Sequence, residues 1–378
     1  MIYFDNSATT KPYNEVVNLI SRIMLEDYGN SSSLHNFGLR AERILEEARA
    51  DIAETIKAKP EEIVFTSGGT ESVNLAIKGS AEILKRSGSH ILSSPVEHAA
   101  SLESLKELER IGYEVEYLEV DEYGKISLDD LKRKLRKDTI LVNIMAVNNE
   151  LGTIEPIIEA SRIIKSGNSK TIFHVDAVQG YGKIPISTRE LEADLISFSA
   201  HKIHGPKGVG MIYIRKGTRV HPMMMGGGHE RKIRSGTVNV PCIAGFSLAA
   251  RTKTANMKKD QANCKKIKER ITDGLSEALG SSIRVNSPPD GVENILSISF
   301  KGIKSETLLH YLEMHDIYVS SGSACNSKKD SISHVLKAVG LSRSWAEGTI
   351  RFSFGSFNTV DEAETTVKAI LDIMEKIK

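Results

Sequence analysis

The chain alternates short apolar runs with longer stretches of amphipathic spacing for most of its length. Runs rich in Ile, Val, Leu and Phe lie at 62–65, 90–93, 115–120, 140–145, 171–175, 194–198 and 210–214. Runs this short, bounded by polar and turn residues, read as strands rather than helices. Between them, 71–78, 99–111 and 128–137 carry helical spacing. The β-then-α rhythm predicts an α/β domain around a mostly parallel sheet covered on both faces. In such sheets ligands gather beyond the carboxyl ends of the strands, so polar clusters at those ends are the candidate chemistry.

The texture changes from about residue 251. Residues 253–270 form a basic, helix-like stretch, followed by short strands at 283–285 and 295–300 around the Pro288-Pro289 loop. This predicts a boundary near 256. Residues 14–256 would be a large domain and 257–378 a smaller α+β domain, joined by the N-terminal segment 1–13.

Composition narrows the functional classes. A chain of 378 residues is long enough for a sizeable core without disulfide or metal staples. Fifty basic against 49 acidic residues leave a formal charge of +1, which points away from nucleic-acid and membrane partners. The basic runs 132–137 and 253–270 read as solvated helix faces. No apolar run approaches the ~20 residues of a spanning helix. The opening Met1-Ile2-Tyr3-Phe4-Asp5 has neither a positive leader nor an apolar h-region, so a cytoplasmic protein is expected. Three cysteines, Cys242, Cys264 and Cys325, are too few and odd in number for a disulfide framework.

Four polar clusters follow strands. Thr66-Ser67-Gly68-Gly69-Thr70-Glu71 opens a helix, where free amides and the helix dipole favour an anion. It reads equally as a plain turn with Thr70 as N-cap, and no Walker lysine follows it. His174-Val175-Asp176 delivers an acid at a strand end. Buried there, Asp176 needs a cation such as a pyridinium nitrogen, or else it caps the next helix. Ser199-Ala200-His201-Lys202 offers a lysine suited to Schiff-base chemistry, unless Lys202 is simply solvated. His201 and His204 have no third metal ligand at suitable spacing, so no metal is expected. Finally, Ser321-Gly322-Ser323-Ala324-Cys325, followed by Lys328-Lys329, sets a lone thiol among small polar residues near positive charge. Such a thiol is reactive, whereas Cys242 and Cys264 take a structural reading.

Together these clusters make the chain resemble the cysteine desulfurases of the NifS/IscS type, within the class V aminotransferase-like enzymes that use pyridoxal 5'-phosphate (PLP). The resemblance runs from Tyr3-Phe4-Asp5-Asn6-Ser7-Ala8-Thr9-Thr10 to Ile350-Arg351-Phe352-Ser353. It is carried most specifically by Asn148-Asn149-Glu150-Leu151-Gly152, His174-Val175-Asp176-Ala177-Val178-Gln179, Gly226-Gly227-Gly228-His229-Glu230 and Arg234-Ser235-Gly236-Thr237, with the lysine and cysteine motifs already quoted.

The resemblance implies PLP-dependent transferase fold type I: a large domain with a mostly parallel seven-stranded sheet plus a smaller α+β domain. It makes Lys202 the Schiff-base lysine. His98 would stack on the PLP ring and shuttle protons, and Asp176 would pair with the ring nitrogen. Gln179 and Asn149 would contact the ring hydroxyl or the substrate. Gly69, Thr70, Ser199 and His201 would hold the phosphate, with Thr237 reaching the phosphate of a partner subunit in a homodimer. Arg351 would clamp the substrate carboxylate. The implied reaction converts L-cysteine to L-alanine, with sulfur carried as a persulfide on Cys325 to an acceptor protein in iron–sulfur cluster assembly or tRNA or cofactor thiolation. The long stretch after the cysteine motif places the chain with NifS/IscS rather than the short-loop subgroup. Asn326 stands where threonine is usual, and Ala200 where glycine or alanine occurs. The chain is expected to lack the C-terminal extension that IscS-type enzymes use for their scaffold, which leaves the acceptor open. A selenocysteine lyase or another class V aminotransferase is the alternative within enzymes. A PLP-free sulfur-carrier scaffold is the alternative outside them, and Lys202 and Asp176 speak against it.

Overall fold

The computed structural model describes residues 1–321 and 332–377. The first strand, β1 (Ile2–Tyr3), precedes a seven-stranded sheet made of β2 (Ile63–Thr66), β3 (His90–Ser93), β4 (Glu114–Tyr117), β5 (Thr139–Met145), β6 (Ile172–Asp176), β7 (Leu195–Ser199) and β8 (Gly210–Ile214). Their spatial order is β2-β8-β7-β6-β5-β3-β4. β8 runs antiparallel to both its neighbours, and the other pairings are parallel. β2 therefore points the same way as β7, and the carboxyl ends of β2, β3, β5, β6 and β7 share one edge. The central strands β5, β6 and β7 are buried throughout, which is why they read as continuous apolar runs.

The second unit holds an antiparallel sheet in the order β12-β13-β10-β9. Its strands are β9 (Ile283–Val285), β10 (Ile295–Phe300), β12 (Ser320–Ser321) and β13 (Thr349–Ser353). β1 pairs in parallel with β11 (Ile317–Tyr318), so the N-terminal segment starts in this unit. It then crosses to the end of β7, where Thr10 N–H donates to the His201 carbonyl at 3.0 Å.

Two expected elements end earlier than their polarity implies, because side chains cap them. The strand expected at 115–120 stops at Tyr117, and Glu119 N–H donates to Asp130 Oδ2 at 2.8 Å. The helix expected over 128–137 stops at Lys134, and Asn168 Nδ2 donates to the carbonyls of Arg136 and Lys137, both at 3.1 Å. A third is longer than expected. The basic stretch at 253–270 lies inside a single 40-residue helix, Val240–Leu279, roughly 60 Å long. Asn239 caps it, Pro241 sits in its first turn, and Gly280 at φ 50° ends it. Its Ile243, Phe246 and Ala250 enter the core of the first unit, whereas Ile267, Ile271 and Leu275 enter that of the second. The polarity change near 251 marks a change of packing partner, with no break in the helix.

Candidate active site

Lys202 closes a short 3-10 turn, Ala200–Lys202, directly after β7. Its Nζ donates to the Ser7 carbonyl at 2.6 Å and the Ala8 carbonyl at 2.8 Å. The N-terminal segment therefore supplies two acceptors that hold the amine in place, and a freely solvated lysine is ruled out. Asp176, the last residue of β6, is buried, and its Oδ1 accepts from Val178 N–H at 3.0 Å. The helix-cap alternative is half right, since that bond closes a turn and no helix follows. Burial pushes the Asp176 carboxyl above its ordinary range, and the nearby His98 and Lys202 only partly offset this.

His98 caps the helix Ala99–Arg110, with its Nδ1 accepting from Ala100 N–H at 3.1 Å. That bond places the ring proton on Nε2. Burial lowers the imidazole pKa, Asp176 pulls it back up, and Lys202 and His334 lower it further, which favours the neutral ring. Behind these groups lies a buried polar ladder across the sheet. His174 bonds Asn143 Oδ1 through Nδ1 at 2.6 Å and Ser197 Oγ through Nε2 at 2.8 Å. Asn143 Nδ2 in turn donates to Ser93 Oγ at 3.0 Å and Glu97 Oε2 at 3.2 Å. Burial holds Glu97 well above the carboxylate range and His174 down at about 3. The ladder is thus neutral, and Asp176 is the acid at the end of β6 that lines the cavity above it.

A cavity of ≈ 410 Å³ opens above these strand ends. At one end, Gly69 and Thr70 start the helix Gly69–Leu84, and Ser199 Oγ is buried with no hydrogen-bond partner among the described residues. A Cβ on Gly69 would sit 2.7 Å from Val178 Cγ2, so the backbone approach there requires glycine. His201 Nδ1 lies 3.2 Å from Thr9 Oγ1, and burial followed by the charge of Lys202 pulls its pKa down to about 4. Amides at a helix start, an orphan hydroxyl and no room for side chains make an anion cradle.

At the other end, Arg351 on β13 donates from Nη2 to Asp5 Oδ1 at 2.8 Å and from Nη1 to the Asn149 carbonyl at 3.1 Å. Its buried Nε has no hydrogen-bond partner among the described residues. Glu150 beside it is buried, accepts from Ser333 Oγ at 2.6 Å, and is raised by burial to about 7.

Lys202, Asp176, His98, Gln179, Asn149, Gly69, Thr70, Ser199, His201 and Arg351 all line this one cavity. Thr237 does not line it and is exposed. Cys325 lies outside the described residues. Cys242 is half-buried and Cys264 buried, the latter thiol pushed up to about 12, as structural cysteines would be. Sequence reasoning gave no role to Glu97, Asn143, Glu150 and Lys183, whose polar types gave no local sign of burial. Among the described residues, His90, Glu114 and Glu116 also group at the opposite strand ends, but Arg136 already spans both Glu114 oxygens at 3.0 and 2.6 Å.

The model for "Aminotransferase class-V" matches residues 2–365. The chain belongs to the class V aminotransferase family. Within that family it is similar to the cysteine desulfurase IscS of Dictyoglomus turgidum, at 43% identity over 378 residues, covering 100% of this chain and 95% of the relative. Among solved structures it is similar to a NifS-like protein, with TM-score 0.94, 40% identity and 99% coverage of both chains. It is also similar to SspA in complex with cysteine, with TM-score 0.81 and 31% identity over 95% of this chain and 100% of that one. Class V aminotransferases are PLP enzymes, and the cavity fits that cofactor. The orphan Ser199 hydroxyl and the glycine cradle suit its phosphate, and the raised Asp176 carboxyl suits a ring cation.

Proposed function

We propose that the protein is a PLP-dependent cysteine desulfurase, acting as a cytoplasmic homodimer that converts L-cysteine to L-alanine and passes the sulfur to an acceptor protein. The observation that carries this reading is the convergence of Lys202, Asp176, His98, Ser199 and Arg351 on one cavity. The full-length likeness to IscS proteins, and the cysteine-bound SspA, support the substrate. Bound here, PLP supplies an electron sink for carbanion chemistry at the substrate Cα.

The chain's own residues do the rest. Gly69, Thr70, Ser199 and His201 bind the phosphate. Asp176 keeps the proton on the ring nitrogen, since only then is its buried charge compensated. The neutral His98 suits stacking and proton shuttling, and Lys202, once freed, removes the Cα proton. Asn149 and Gln179 orient ring and substrate, and Arg351 holds the carboxylate through its planar fork. Cys325 accepts the sulfur as a persulfide, and Thr237 completes the partner's phosphate site. The acceptor belongs to iron–sulfur cluster assembly or to tRNA or cofactor thiolation. Among the described residues no helix is long and apolar enough to cross a membrane. Residues 14–256 and 257–378 act as large and small domains, on the strength of their separate hydrophobic clusters.

Purified protein given PLP should show an absorption band that borohydride reduces, and Lys202→Ala should lose that reducible band. Cys325→Ser should keep the band yet release no sulfide from L-cysteine. Full desulfurase activity in the serine variant would refute the sulfur-carrier role.

A further inference from the structure

Lys183 is buried in the turn after β6 and has no carboxylate partner among the described residues. The ionisable groups that bear on it are the cations Lys202, Lys253 and Arg351 and the thiol of Cys264; Asp260 nearby is engaged by Lys253. Its hydrogen bond runs from Nζ to Gln179 Oε1. Gln179 in turn donates from Nε2 to the Ser7 carbonyl at 2.9 Å, the same carbonyl that accepts from Lys202 Nζ at 2.6 Å. The Ser7 carbonyl can only accept, so Nε2 must face it and Oε1 must face Lys183. The second Nε2 hydrogen is then available to the cavity that Gln179 lines.

We propose that Lys183 is a positioning residue of the cofactor site, fixing the Gln179 carboxamide so that it offers the cavity an N–H donor. This rests on the PLP reading above. Two features make an amine the suitable anchor. Burial, and then the charges of Lys202 and Lys253, hold its pKa well below the lysine range, so it gives a hydrogen bond without adding a further charge beside Lys202. Without it, the buried Oε1 is left unpaired at the full desolvation cost.

The test uses full-length protein reconstituted with PLP and reads cofactor release after rapid dilution, with the apo-protein melting curve as a folding check. Lys183→Met should release PLP about tenfold faster, as should Gln179→Ala. The double variant should be no worse than either, because both act through one hydrogen bond. Lys183→Gln, which restores a donor, should retain PLP as wild type does, and it decides the matter if the methionine variant does not fold. Wild-type retention in Lys183→Met, multiplying effects in the double variant, or loss in Lys183→Gln overturns the positioning role. Failure of the wild type to form a borohydride-reducible band overturns the PLP reading itself, and this inference with it.

Discussion

Glu150 shows how burial writes chemistry into a single side chain. It sits in the cavity wall with Ser333 Oγ on its Oε2 at 2.6 Å, and burial raises it to about 7 against the pull of Arg351. A carboxyl raised on folding binds more protons in the native state than in the unfolded chain. Its contribution to stability is therefore complete below the ordinary Glu range and is lost as pH rises through about 7. Glu150→Gln keeps an acceptor for Ser333 but cannot ionise. The melting temperature of the variant should rise relative to wild type between pH 5 and pH 7, by a few degrees, and the gap should be flat above pH 8. Calorimetry at four or five pH values reads this directly, and a constant gap would mean that Glu150 does not titrate in that window. At this scale the sequence was legible where a reactive type stood at a strand end, as with Lys202 and Asp176. It was not legible for Glu150, Glu97 or Lys183. A charged side chain in a polar motif looks solvated until the tertiary structure buries it.

Among the elements, the strands of the seven-stranded sheet were the most legible part, because period and polarity report them locally. The loop that follows β8 was not. Glu230, Arg231 and Lys232 all take positive φ, at 43°, 56° and 66°, a run that side chains other than glycine disfavour. What compensates comes from distant segments. Arg49 donates to Glu230 at 2.9 and 2.7 Å, both side chains being buried, and Phe65 N–H donates to the same carboxylate at 2.8 Å. Arg49 also donates to the Ile63 carbonyl at 2.9 Å, which ties the turn to β2 and so to the cradle at Gly69. Removing one partner of such a pair strands a buried charge. Glu230→Ala should cost ~3–5 kcal/mol in urea unfolding. A cost under ~1 kcal/mol, the range of exposed pairs, would show that the turn holds itself.

At the scale of the whole molecule, the large buried apolar side chains pack into clusters in the interior, but a group near the N-terminus stays exposed outside them. Met24, Leu25, Tyr28 and Leu34 are 61, 77, 71 and 97% exposed, on or just after the helix Asn14–Glu26. Met223, Met224 and Met225 are exposed on the loop that leads to Glu230. Several large apolar residues in one short segment are more than scattered surface leucines, and an interface of the proposed homodimer would cover them. A formal charge of +1 sets up little repulsion between two copies. The homodimer proposed above would bury this surface and bring the Thr237 loop of one copy toward the cavity of the other. The wild type should sediment at twice the chain mass. Leu25→Asp combined with Leu34→Asp, two surface changes that leave both cores intact, should sediment as a monomer with an unchanged circular dichroism spectrum. If Thr237 completes the neighbouring phosphate site, that monomer should also lose PLP on gel filtration under conditions where the wild type keeps it. A double variant that stays dimeric would place the interface elsewhere. A monomer that holds PLP as firmly as wild type would show that each cavity is complete within its own chain.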